Sequence, residues 1–217
     1  MGFKMKTLIF LMALIVAGSA FAADSGNDES SFLRMVLGTD ETGDDSLTTQ
    51  FASDNNFAGN SFDLIATGDI TVVGWDINLA TYLPDYDINV YWKEGTASGF
   101  EQNAAPWTLL GTENVVPNGV DIPTHVDIGG LEINAGDTVG VIIQSPDAVS
   151  GTGGFMYTNN GPFTYSNSDL SIITYRGLSA EWPPSSAFTY RGWNGTVHYD
   201  YGVALARETW ASIKNMF

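Results

Sequence analysis

The 217-residue chain carries 25 acidic side chains against 8 basic ones, a net charge of −17, and no cysteine. That charge argues against nucleic acid and anionic membrane surfaces as partners, because both would repel it. The missing cysteines exclude disulfides, thiolate nucleophiles and cysteine-based zinc sites, so a hydrophobic core must hold the fold together, and 44% hydrophobic and 12% aromatic residues can build one.

The chain opens with Lys4 and Lys6, an apolar run over Thr7–Gly18, and small residues at Ala20 and Ala22. This is the pattern of a secretory signal peptide over residues 1–22, cut after Ala22. The run is shorter than the roughly 20 residues that span a bilayer, so no membrane span is expected after cleavage. Residues 23–46 are acidic and small and predict a flexible N-terminal segment.

From Leu47 the apolar residues recur with period two, the mark of half-buried strands. In Ile70–Leu79 the apolar row is Val73, Trp75, Ile77 and Leu79. In Ile88–Lys93, Ile88, Val90 and Trp92 oppose Asn89, Tyr91 and Lys93. Val139, Val141 and Ile143 form a third row, and Val197, Tyr199, Tyr201 and Val203, in Thr196–Ala204, a fourth. Further strands are predicted at Ser61–Ala66, Trp107–Thr112, Thr124–Ile128, Gly154–Thr158, Leu170–Tyr175 and Phe188–Trp193. Turn residues separate them, including Asn118-Gly119, Ala135-Gly136-Asp137 and Asn159–Gly161. Asn194-Gly195, set between two aromatic strands, predicts a type I′ hairpin. The expected domain over residues 47–206 is therefore all-β, an antiparallel β-sandwich of jelly-roll type. Residues 207–217 differ: Trp210, Ile213 and Phe217 fall on one face of a short amphipathic C-terminal helix.

The segments SFDLIAT (61–67), ITVVGWDINL (70–79), INVYWKEG (88–95), PWTLLGT (106–112), INAGDTVGVII (133–143), YTNNG (157–161), SNSDLSI (167–173) and TYRGWNGTVHYD (189–200) follow one another in an ordered series. That series resembles a large group of secreted bacterial β-sandwich domains of uncharacterised function. The resemblance implies an exported, often surface-attached protein and supplies no catalytic residues. The chain departs from anchored members in lacking a Pro-Glu-Pro motif followed by an apolar helix. Its ending TWASIKNMF is similar to short Trp-x-x-Ile-Lys endings on other exported bacterial proteins.

Catalytic motifs are scarce. His125 and His198 are the only histidines. Each alternates with an aspartate, Asp127 or Asp200, on the polar face of its predicted strand, and neither G-x-S-x-G nor H-E-x-x-H occurs. Acid pairs for glycoside hydrolysis exist, as always with so many carboxylates, but none is singled out by its setting. No organic cofactor is expected. Structural calcium is the ion that the acidic loops could ligate, with Asp40, Asp44 and Asp45 in one group and Asp85 with Asp87 in another.

Aromatic residues offer the strongest binding argument. Trp92, Trp107, Tyr175, Trp182, Tyr190 and Trp193, with Arg191 beside them, could form a patch on which sugar rings stack; each also fits core or hairpin packing. The expected function is a non-enzymatic exported binding module, extracellular or on the cell surface (or periplasmic), for a polysaccharide or a protein. Two alternatives stand beside it: a structural subunit that self-assembles through Trp210, Ile213 and Phe217, and an unrecognised secreted hydrolase.

Overall fold

The computed structural model describes residues 45–148 and 153–201. The signal peptide, Asp40, Asp44 and the C-terminal tail with Trp210, Ile213 and Phe217 lie outside the described residues. Within them no helix occurs, and the strands in chain order are β1 (Asp45–Thr48), β2 (Asn55–Phe57), β3 (Gly59–Ala66), β4 (Ile70–Asn78), β5 (Tyr86–Glu94), β6 (Thr108–Val115), β7 (Pro123–Val126), β8 (Leu131–Ile133), β9 (Thr138–Gln144), β10 (Phe155–Asn159), β11 (Thr164–Ser166), β12 (Leu170–Leu178), β13 (Ala187–Thr189), β14 (Arg191–Trp193) and β15 (Gly195–Tyr201).

The strands pair antiparallel into three sheets. The first runs β1–β15–β4–β7, with β8 also on β4; the second is β14–β10–β2; the third runs β11–β12–β3–β9–β5–β6, with β13 on β12. Successive side chains of a strand point to opposite faces, and the alternation in β5 works out that way. Ile88, Val90 and Trp92 pack into the main core, while Tyr91 joins a separate cluster on the other face. One core is shared by the first and third sheets: Phe62 and Leu64 of β3 and Val141 and Ile143 of β9 belong with Trp75 and Ile77 of β4 and Val197 and Tyr199 of β15. Each such aliphatic side chain contributes about 1.5–3 kcal/mol by burial.

Three local expectations are corrected. In β4 the register passes from His198↔Gly74 to Tyr199↔Val72, which leaves Val73 as the extra residue of a bulge. A bulge reverses the alternation, so Ile70 and Val72 join Trp75 and Ile77 in the core and Val73 stays half-buried. Phe188–Trp193 is not one strand; β13 pairs with β12 and β14 pairs with β10, in different sheets. Asn194-Gly195 is not a hairpin turn either. β14 pairs with β10, whereas β15 pairs with β1 and β4. Gly195 is there for close approach: a Cβ would overlap Trp193 Cζ2 and lie 2.5 Å from Asp76 O. The Asn-Gly pair that does adopt positive φ is Asn160-Gly161, at 68° and 116°, after β10.

The connection from β6 to β7 is held by Asp121, itself at φ 61°. Its Oδ1 accepts from Ser53 N at 2.9 Å, Ser53 Oγ at 2.7 Å and Asn78 Nδ2 at 2.8 Å. Slight burial would raise the Asp121 pKa, but the hydrogen bonds from Ser53 and Asn78 outweigh it and hold the carboxyl below its ordinary 3.8. A depressed carboxyl stabilises the fold above the unfolded-state value, and that contribution is lost as pH falls through the folded value. Asp121→Asn, which tolerates positive φ, should therefore lower the urea midpoint at neutral pH and narrow its fall between neutral pH and pH values below 3.8. An identical acid dependence in the two proteins would remove Asp121 from the account.

Candidate functional site

The outer face of the third sheet carries a second, smaller apolar cluster built from Tyr91 of β5, Ile142 of β9, Leu178 of β12, Ala97 and Trp107. A bulge in β12 helps to furnish it. The pairing jumps from Thr174↔Phe62 to Arg176↔Ser61, so Tyr175 is the extra residue and both it and Arg176 serve the outer face. The loop between β12 and β13 then folds back and lays Trp182 flat on Tyr91, with ring centroids 3.6 Å apart and planes 2° from parallel. Trp107 meets Trp182 edge-on at 6.5 Å.

Polar side chains pin residues 95–107 across this face. Asp63, buried on β3, accepts from Ala97 N at 2.7 Å and from Tyr175 Oη at 3.0 Å. Lys93 Nζ donates to Glu94 O and Thr96 O and sits 4.5 Å over the Phe100 ring. Glu101, only 3% exposed, pairs with Arg176 at 3.1 Å. Its other carboxylate oxygen accepts from Gly99 N at 2.9 Å. This layer gives Trp182 a rigid base.

Beside that base opens a cleft of about 370 Å³. Trp182, Phe57, Pro146 and Ala180 form its apolar wall, and Asn89, Gln144, Ser179 and Glu181 its polar groups. Asn89 and Gln144 are direct cross-strand partners on β5 and β9. Asn89 Oδ1 already accepts from Thr112 Oγ1 at 2.6 Å. Gln144 is fully buried; its Nε2 reaches Ala180 O at 3.5 Å, and its Oε1 has no hydrogen-bond partner. Hydrogen bonds, first from Ser179 and further from Ser185, hold the Glu181 carboxyl below its ordinary range. An orphaned buried acceptor is costly, and in the lining of a cleft that an aromatic side chain also lines it is a natural partner for a ligand hydroxyl.

The aromatic residues singled out from sequence scatter. Trp107, Tyr175 and Trp182 come together in the outer cluster; Trp107 is mostly buried, its Nε1 donating to Phe100 O at 3.0 Å. Trp92 turns the other way and packs against the main core. Trp193 is a core residue with no exposed face. Tyr190 is exposed on the link between β13 and β14, and Arg191 lies over the Tyr157 ring at 5.8 Å while its Nη1 donates to Thr189 O and Tyr190 O. Neither belongs to the outer cluster. Tyr91, Asn89 and Gln144 escaped the sequence reading because only the sheet register sets them beside the loop carrying Trp182.

Among the acidic candidates, Asp45 Oδ2 accepts from Tyr201 Oη at 3.1 Å. Asp85 and Asp87 are bridged by the Asn114 amide, at 3.2 and 2.9 Å, in a shallow depression next to Asp147. The histidines converge on an aspartate other than the ones with which they alternate in sequence. Both reach Asp76 of β4 instead: His125 Nδ1 lies 2.9 Å from Oδ1 and His198 Nε2 lies 2.9 Å from Oδ2. Burial would raise the Asp76 pKa, but the hydrogen bonds and charges of His198 and His125 hold it below its usual value. No protein-family model matches the chain, and no curated protein does.

Proposed function

We propose that this chain is an exported, non-enzymatic binding module, a β-sandwich of jelly-roll type, whose cleft beside Trp182 takes a sugar unit of a polysaccharide. The observation that carries this reading is the unpartnered Oε1 of fully buried Gln144, a residue that lines the same cleft as Trp182. Sugar rings present a C–H face to an aromatic plane and hydroxyls to amides and carboxylates, and the cleft offers both kinds of surface. The export signal in residues 1–22 fits an extracellular or cell-surface ligand. The strongly negative net charge favours a neutral or basic polymer over an acidic one.

The test is retention of the protein on a panel of insoluble cell-wall and environmental polysaccharides, with and without calcium, while soluble products are measured. Trp182→Ala should weaken retention at least about tenfold, as for an aromatic anchor. Gln144→Leu should weaken it by about threefold to tenfold, the worth of one hydrogen bond, with little loss of stability, because its Oε1 has no partner in the folded protein and its Nε2 loses only the 3.5 Å contact to Ala180 O. Retention indifferent to both substitutions, or no retention on any polymer, would sink the cleft as a sugar site. Released products would make the protein an enzyme.

A further inference from the structure

The chain's only two histidines come from strands on either side of β4 and converge on one carboxylate there, that of Asp76. Asp76 is the direct cross-strand partner of His125, and His198 lies two residues along β15 from Thr196, the residue opposite Asp76, and so faces Gly74 on the same side of the sheet. Both hydrogen bonds are 2.9 Å, and one potential ligand atom from each residue lies within 4.8 Å of the other two. From this geometry we infer that Asp76, His125 and His198 form a site for one divalent transition-metal ion on the outward face of the first sheet.

The donor set defines the class of ion. Two imidazole nitrogens and one carboxylate oxygen suit zinc, copper(II), nickel or iron(II); calcium and magnesium require shells of oxygen. Ligands about 2.0–2.2 Å from a metal stand about 3–3.5 Å from one another. The two imidazoles already stand close to that spacing from the carboxylate, so small side-chain rotations admit the ion. The framework is rigid, because all three ligands project from adjacent hydrogen-bonded strands. Side-chain exposures of 42% for His125 and 19% for Asp76 and His198 leave entry and further coordination positions open to solvent. Gly74 preserves the arrangement: a Cβ there would press on His125 at 3.1 Å from Cε1 and 3.3 Å from Nε2. The site lies on a different sheet from the Trp182 cleft, so it does not depend on the sugar-binding reading.

The test uses the purified chain stripped with a chelator and titrated calorimetrically with zinc chloride at neutral pH, with cobalt(II) absorption as a report of imidazole ligation. One zinc per chain is expected. His125→Ala, His198→Ala and Asp76→Asn should each weaken binding at least about tenfold, the loss seen even for partners that only support a ligand. Gly74→Ala should weaken it while removing no ligand. Excess calcium should not compete. All three ligand substitutions lie at partly exposed positions, and circular dichroism checks that each variant is folded. Absence of zinc binding would overturn the site. So would binding that survives the three substitutions or yields to calcium, since either would place the ion in the acidic loops.

Discussion

Trp193→Ala should destabilise the protein by about 3–5 kcal/mol, the cost of emptying a large aromatic site in a packed core. Trp193 is fully buried, and its ring stacks on Phe62 at 4.2 Å and 12° while meeting Trp75 edge-on at 6.4 Å. Those three rings belong to β14, β3 and β4, one strand from each sheet. Removing the indole therefore opens a hole where all three sheets meet, and no single strand can shift to fill it. A domain of ordinary stability has only about 5–15 kcal/mol to lose, so the urea midpoint should fall far and the protein should become prone to proteolysis. Trp193→Phe is the informative companion. It keeps a ring against Phe62 and deletes Nε1, which is buried without a hydrogen-bond partner, so it should cost much less than alanine. A loss below about 1 kcal/mol for Trp193→Ala, the range of ordinary surface changes, would mean that the indole does not fill the core.

Arg176→Ala is the second large effect, about 3 kcal/mol, because it leaves a buried carboxylate without its counter-ion. Glu101 is 3% exposed and Arg176 29% exposed, with Nε 3.1 Å from Oε1. The partial exposure of the guanidinium places the loss at the lower end of the usual range. Ser61 Oγ at 3.3 Å and Gly99 N at 2.9 Å would remain to Glu101 as hydrogen-bond donors, but neither carries charge. The double variant Arg176→Met with Glu101→Leu removes both charges with similar volume and should be far less destabilised than the single. Measured by urea unfolding, a single no worse than the double would show that no charge is stranded. Because Glu101 lies in the segment covering the outer face, Arg176→Ala should also speed amide exchange at Gly99 and loosen the platform under Trp182.

Much of this molecule is legible in its residues. The alternation in Ile88–Lys93 correctly separates Trp92 from Tyr91 onto opposite faces, because a strand's geometry is local. Gly119 and Gly136 adopt positive φ where the turn residues predicted it. The same local logic fails at Val73 and at Asn194-Gly195. A bulge adds a residue to one strand without leaving a signature in composition, and glycine serves a left-handed turn and a tight crossing equally well. Gly195 is needed for the second, against Trp193 and Asp76 O.

The candidate sites follow the same division. That Trp182 sits in a loop and that the histidines lie on polar strand faces could be inferred from sequence, since both depend on neighbours within a few residues. That Trp182 lies on Tyr91, 91 positions earlier, or that His125 and His198 share Asp76 across separations of 49 and 122 residues, could not. By itself the sequence determined the positions of most of the longer strands, the face of many side chains and the absence of cysteine chemistry, because these depend on backbone periodicity and on residue identity, whereas the short strands β1, β2, β8 and β11 carry too few residues to show a period. Which strands became neighbours, where the bulges fell and which polar groups met were decided only by the tertiary structure. Antiparallel pairing is nearly indifferent to sequence separation, and its register is selected by the joint burial of many side chains at once.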